Sequence, residues 1–237
     1  MKSLTSYDEQ LTTKLNHLKI HSGYLPHIGV DYEQSRTKTF IIAESHYVHK
    51  AHNNKFSVMD WYSNPSSIYI TLDGRHENDR NWFYTRGVVK HYQTSKKQPK
   101  GFGLFGNLEK AYKSIFKDIN LFDECVFLNY FQRPAEVEGD SIKVHQIDSE
   151  VALENLMGLN EVLKPDKIIF VSSKAYNDFL NTVSKEQKEN LPYVGSVPHP
   201  SASSWWNRKS TKYGLNGEAV TGKEKFQRIM RPKDKEV

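Results

Sequence analysis

Short, almost wholly apolar runs alternate along this chain with longer amphipathic ones. "TFIIA" (39–43), "ECVFLN" (124–129), "KIIFVSS" (167–173) and "YVGSV" (193–197) are of the first kind. Runs this short, rich in β-branched and aromatic residues and closed by polar ones, predict strands buried on both faces. Between them, apolar positions recur at helical spacing. "LEKAYKSIF" (108–116), "DSEVALENLMGLNEVLK" (148–164) and "KAYNDFLNTVS" (174–184) predict helices; Asp148 or Ser149 caps the second, and Pro165 stands just beyond its end. Near the N-terminus Leu11, Leu15, Leu18 and Ile20 predict a helix over 6–20 capped by Ser6 or Asp8. The C-terminal segment 222–237 predicts a basic helix that frays. "FYTRGVVKHY" (83–92) predicts a short helix, "SSIYITL" (66–72) a strand or a helix end, and "GFGLFG" (101–106) and "GDSIKVHQ" (139–146) loops.

Strands alternating with helices predict one α/β domain over 1–237, its parallel sheet covered on both faces by helices. In such sheets ligands bind beyond the C-terminal ends of the strands. Three unusual segments fall there: "ESHY" after the first strand, "NYFQRP" after the second and "HPSASSWW" after the last. Far apart in sequence, they are expected to meet in one crevice.

Composition narrows the chemistry. Lys and Arg number 33 against 28 Asp and Glu, a net charge of +5 that permits nucleic-acid binding without requiring it. The lone Cys125 makes no internal disulfide and cannot build a four-cysteine zinc or iron–sulfur site. No apolar stretch follows Lys2 as in a signal peptide, and no run approaches the ~20 residues that span a bilayer. A cytoplasmic monomer without metal or cofactor is the expectation. The chain has no G-x-S-x-G elbow, P-loop or G-x-G-x-x-G, so an unrelated α/β hydrolase or nucleotide-binding enzyme has little to rest on.

Read together, "IIAESHYV", "VFLNYFQRP" and "PHPSASS" resemble, in order and spacing, the motifs of the uracil-DNA glycosylase superfamily. "LKPDKIIFVSSKAYNDFL" is similar to that family's helix–Pro–strand–helix unit. The resemblance runs from about Thr39 to Ser210, the stretch roughly between His52 and Leu108 set apart. It implies a three-layer α/β/α sandwich with a short central parallel sheet. The implied activity is hydrolysis of the N-glycosidic bond of uracil, or of another deaminated or modified pyrimidine, flipped out of DNA. The family branch that reads G-E-A-P-G holds an iron–sulfur cluster through four cysteines, which this chain lacks.

Residue by residue, the resemblance implies the following. His199, stiffened by Pro198 and Pro200, donates to the O2 charge of the departing base. Asn129 reads the pairing edge, since one amide can accept from N3–H and donate to O4. Tyr47 walls off the 5-position, and Ala43 replaces a glycine beside it. Ser45 stands where one branch has its water-activating Asp. Either Glu44 or His46 then polarises the water, or a positioned water and electrostatic stabilisation suffice. Among Trp82, Phe83 and Tyr84, Phe83 is favoured to stack on the base. The loop after the H-P-S motif is expected to enter the minor groove. There Trp205 or Trp206 acts as a wedge while the other packs inward, Ser201, Ser203 and Ser204 bond phosphates, and Arg208, Lys209 and Arg133 supply charge. The competing reading is a protein of this fold that binds DNA or a modified base without cleaving it, motivated by Ser45.

Overall fold

The computed structural model describes residues 3–48, 54, 57–63, 84–95, 101–214 and 217–231. Its centre is a five-stranded sheet in the order β1-β3-β2-β4-β5. The strands are β1 (His27–Ile28), β2 (Thr39–Ala43), β3 (Cys125–Asn129), β4 (Lys167–Phe170) and β5 (Tyr193–Ser196). β3, β2, β4 and β5 run parallel, with Ala43 beside Asn129 and Phe170 beside Ser196. The sheet is nonetheless mixed. β1 pairs antiparallel with β3 at the edge, a strand too short to leave a period in the sequence.

Among the described residues the helices are α1 (Asp8–Lys14), α2 (Asn16–Ile20), α3 (Val58–Ser63), α4 (Thr85–Thr94), α5 (Gly103–Lys113), α6 (Leu121–Glu124), α7 (Gln146–Leu163), α8 (Ser173–Thr182), α9 (Lys185–Glu189), α10 (Ser203–Trp206) and α11 (Gly222–Met230). None is long and apolar enough to cross a membrane.

The strands are apolar throughout because both faces are covered. Phe40, Ile42, Val126, Leu128, Ile168 and Phe170 join one core with Leu11, Leu15 and Leu18 of the N-terminal segment, Leu156 and Leu159 of α7, and Phe179 of α8. The alternate residues Ile41, Phe127, Ile169 and Val171 join a second core with Phe105 and Leu108 of α5, Trp205, and Phe226 of α11. Each such side chain contributes about 1.5–3 kcal/mol by burial. α5, which precedes β3, and α8, which follows β4, thus pack on opposite faces, and a crevice opens at the C-terminal ends of the strands between them.

Several boundaries differ from the expectations. The N-terminal helix is broken at Leu15, whose backbone is extended (φ −116°, ψ 97°), so α1 and α2 each turn their own leucine inward. Neither Ser6 nor Asp8 caps α1: Tyr7 holds the N-cap position without a side-chain bond, and Asp8 pairs instead with Arg86 at 2.6 Å. α7 begins at Gln146 with His145 as N-cap and Asp148 at the third position of a capping box. "GFGLFG" is not a loop throughout, since α5 starts at Gly103. α11 is firmly started by a Thr221–Glu224 capping box and buries Phe226 and Met230; residues 232–237 lie outside the described set, as does "SSIYITL".

Candidate functional site

A cleft of about 330 Å³ lies at the C-terminal ends of the parallel strands. Ala43 at the end of β2 and residues 44–47 beyond it, Asn129 at the end of β3, and His199 and Ser201 after β5 all line it. Backbone bonds join the first two segments. Tyr130 N–H donates to Ala43 O at 3.0 Å, Phe131 N–H to Glu44 O at 2.9 Å and Ala135 N–H to His46 O at 2.7 Å. The parallel ladder between β2 and β3 therefore continues past both strands and sets Glu44 to Tyr47 against the chain that follows Asn129.

His199 is held by its own loop. Ser201 N–H donates to its Nδ1 at 3.2 Å, and Ala202 N–H donates to its carbonyl at 2.8 Å. Asn107 of α5 donates to the Pro200 carbonyl at 2.8 Å and pins the loop from outside. α5 comes close to this loop at Gly103, where a Cβ would lie 2.7 Å from Ser201 Oγ. With Nδ1 accepting, the neutral ring carries its proton on Nε2. Desolvation lowers the His199 pKa below its ordinary value, opposed by the Glu44 carboxylate, so the ring is neutral at pH 7. The imidazole itself stands at the open mouth of the cleft.

Asn129 is only 5% exposed, yet among the described residues its side-chain amide makes no hydrogen bond; only its carbonyl is used, by Gln132 Nε2. The amide opens into the cleft, where water or a ligand can satisfy it. Glu44 is the opposite case. Ser141 Oγ donates to one of its oxygens and Ser172 Oγ to the other at 2.9 Å, while Ser172 also caps α8. Ser45 and Tyr47 are half-buried on the cleft wall.

His46 lines the cleft but packs inward. It is 7% exposed, bonds Thr85 Oγ1 through Nε2 at 3.1 Å and meets Tyr24 edge-on. Burial pushes its pKa down to about 3, so it is a poor proton acceptor for water. That favours Glu44 over His46 as the polar group of this segment.

No protein-family model matches the chain, and no curated protein matches it.

Two expected contact residues are in the core. Arg133 is fully buried, its guanidinium donating to both oxygens of Asp148 at 2.6 and 2.9 Å and pairing with Glu136 at 2.9 Å. It cannot reach a phosphate without leaving a buried carboxylate unpaired. Trp205 is also fully buried, against Phe226 at 5.8 Å between ring centroids. Its neighbour Trp206 is 39% exposed, with Lys223 Nζ 5.3 Å from its ring centre. Ser201, Ser203, Arg208 and Lys209 are exposed on the same loop, and Ser204 is half-buried. Phe83 and Trp82 lie outside the described residues.

The structure adds residues that sequence reasoning missed. Phe102, Phe105 and Phe127 line the cleft, as does the turn of Gly139, Asp140 and Ser141. Phe127 could have been found by parity, since it precedes Asn129 by two residues on one strand and must share its face. Two phenylalanines flanking a glycine at a helix start were a weaker sign. Nothing in "GDSIKVHQ" marks its tip as part of a site. Among the described residues no three His, Cys, Asp or Glu side chains gather as a metal centre.

Proposed function

We propose that this protein is a DNA glycosylase of the uracil-DNA glycosylase kind, hydrolysing the N-glycosidic bond of a pyrimidine flipped out of DNA. The single observation that carries the reading is the meeting of His199 and Asn129 in one cleft. One offers a free Nε2–H and the other an amide without a protein partner among the described residues. A departing uracil-like base gathers negative charge on its oxygen, and a donor held in place beforehand stabilises that charge more than it does the intact substrate. The His199 ring is held in this way by Ser201 N–H. The Asn129 amide is suited to a uracil edge, since cytosine presents the reverse pattern of donor and acceptor. Phe102, Phe105 and Phe127 provide apolar walls for a planar base. Helices on both faces of a largely parallel sheet support the three-layer sandwich that this reading implies.

The test is a single-turnover assay on oligonucleotides carrying uracil and a panel of modified pyrimidines, scored for abasic sites. His199→Ala should lower the rate by ~10²–10³ with DNA binding nearly unchanged, the scale of losing one oxyanion donor. An unaltered rate removes His199 from the mechanism. Binding without cleavage is the second reading, favoured by Ser45; it predicts retention of modified DNA with no base released.

A further inference from the structure

One wall of the cleft has no role in the chemistry above. Beyond Ala135, which still pairs with Tyr47, the chain turns away and returns to the cleft at Gly139, Asp140 and Ser141 before α7 begins. Its course is held from within. Arg133 Nη1 donates to the Pro134 carbonyl at 3.1 Å, and Nη2 donates to the Lys143 carbonyl, so one buried side chain ties both arms of the segment. Lys174 Nζ donates to the Ile142 carbonyl at 2.6 Å, and Ser141 Oγ to Glu44. At the tip, Asp140 N–H bonds the Val137 carbonyl at 3.3 Å across a β-turn. The third residue of that turn, Gly139, has φ +79°, the left-handed value such a turn requires there.

Asp140 is thus presented at the cleft by a held turn. Among the described residues its carboxylate makes no hydrogen bond or ion pair, whereas both oxygens of Glu44 are engaged and Ser45 has no carboxylate to offer. Hydrolysis of a glycosidic bond passes through an oxocarbenium-like sugar, whose charge and whose incoming water both call for a carboxylate.

Building on the glycosylase reading, we propose that Asp140 is the carboxylate that faces the sugar, stabilising the positive charge at C1′ and accepting a proton from the attacking water. The C1′–N1 bond breaks with its electron pair leaving on the base, where His199 meets the charge. The water oxygen forms the new bond to C1′. Its proton passes to Asp140 and on to solvent, and the base anion takes a proton from solvent. Free base and an abasic sugar result, and only water is consumed.

The test compares binding of two oligonucleotides. One carries a cationic pyrrolidine in place of the sugar, with nitrogen at the C1′ position; the other carries neutral tetrahydrofuran. Wild type should prefer the cation by at least about tenfold, the gain from one partly screened charge pair. Asp140→Asn should abolish the preference, and His199→Ala should keep it. Asp140 is exposed, so Asp140→Asn should melt with wild type. A preference absent from wild type, or unchanged in Asp140→Asn, overturns the proposal. These binding measurements need no turnover. Failure of wild type to release any base therefore refutes the glycosylase reading separately, while the pyrrolidine comparison still decides Asp140. Where excision is seen, Asp140→Asn should slow it by about 10²–10³-fold.

Discussion

Adjacent tryptophans with opposite burial allow packing and DNA contact to be separated within one dipeptide. Trp205 has no exposed surface and meets Phe226, and both it and Pro198, which precedes the cleft histidine, crowd the position a Cβ on Gly222 would take. Trp205→Ala removes a fully enclosed indole, at a cost of about 3–5 kcal/mol with its cavity. In a protein of this size each kcal/mol is worth roughly 2–4 °C of Tm. The melt should therefore fall by roughly 6–20 °C. Part of the indole's benefit is already offset, because its Nε1–H is buried without a partner among the described residues. Trp205→Phe discards that orphan donor, worth about 1–3 kcal/mol, and should melt much closer to wild type than the alanine variant. Trp206 is 39% exposed and packs edge-on against Trp205, so Trp206→Ala should cost clearly less than Trp205→Ala, about 1–2 kcal/mol. Its effect belongs to DNA. Without the wedge, the flipped state loses part of the few kcal/mol needed to hold the stack open. Excision of a paired target in duplex should fall about 10–100-fold, and excision from single strands should hardly change. Differential scanning calorimetry and single-turnover excision on both substrates make the comparison. A wild-type melt for Trp205→Ala refutes the packing account. Equal losses on single and double strands for Trp206→Ala refute the wedge.

Two further outcomes follow from buried and close-packed groups. Burial lowers the pKa of His21 to about 4 and of His46 to about 3, so the unfolded chain binds their protons first. Their contribution to stability is complete above the unfolded pKa of about 6.5 and is lost as pH falls toward the folded values, on the order of 1.4 kcal/mol for each residue at a pH one unit below it. Thermal melts at pH 7.5 and about 5.5 should show the loss, and a pH-independent Tm over that range would contradict it. Gly103→Ala drives a Cβ to 2.7 Å from Ser201 Oγ and must turn that hydroxyl away. It should slow excision as much as Ser201→Ala does and no more, and the double variant should match either single one. Additive losses would show that the helix shifts the whole loop instead.

The four parallel strands, the helices predicted over 108–116, 148–164 and 174–184, and the three strand-end segments were legible in the sequence, because each is written in local terms. A strand buried on both faces must be apolar throughout, as "TFIIA" and "KIIFV" are, and polar residues that break such a run mark its mouth. Hence Glu44 to Tyr47, Asn129 and His199 are marked as cleft residues by the order of the chain alone. Which residue turns toward the cleft was decided only in three dimensions. Arg133 and Trp205 sit in segments with the composition of a DNA surface. One is claimed by Asp148 from fifteen residues on, the other by Phe226 of a helix that begins well after the loop. Both pairings are non-local, so no period or motif records them. The edge strand β1 is two residues long and exists only because β3 offers it a partner. Asp140 lies in an ordinary polar turn, and its place at the cleft depends on Arg133 tying the turn's two arms together. Local sequence specifies which elements form, because propensity and burial pattern act over a few residues; a site assembled from chain ends far apart depends on which buried charges and rings find each other.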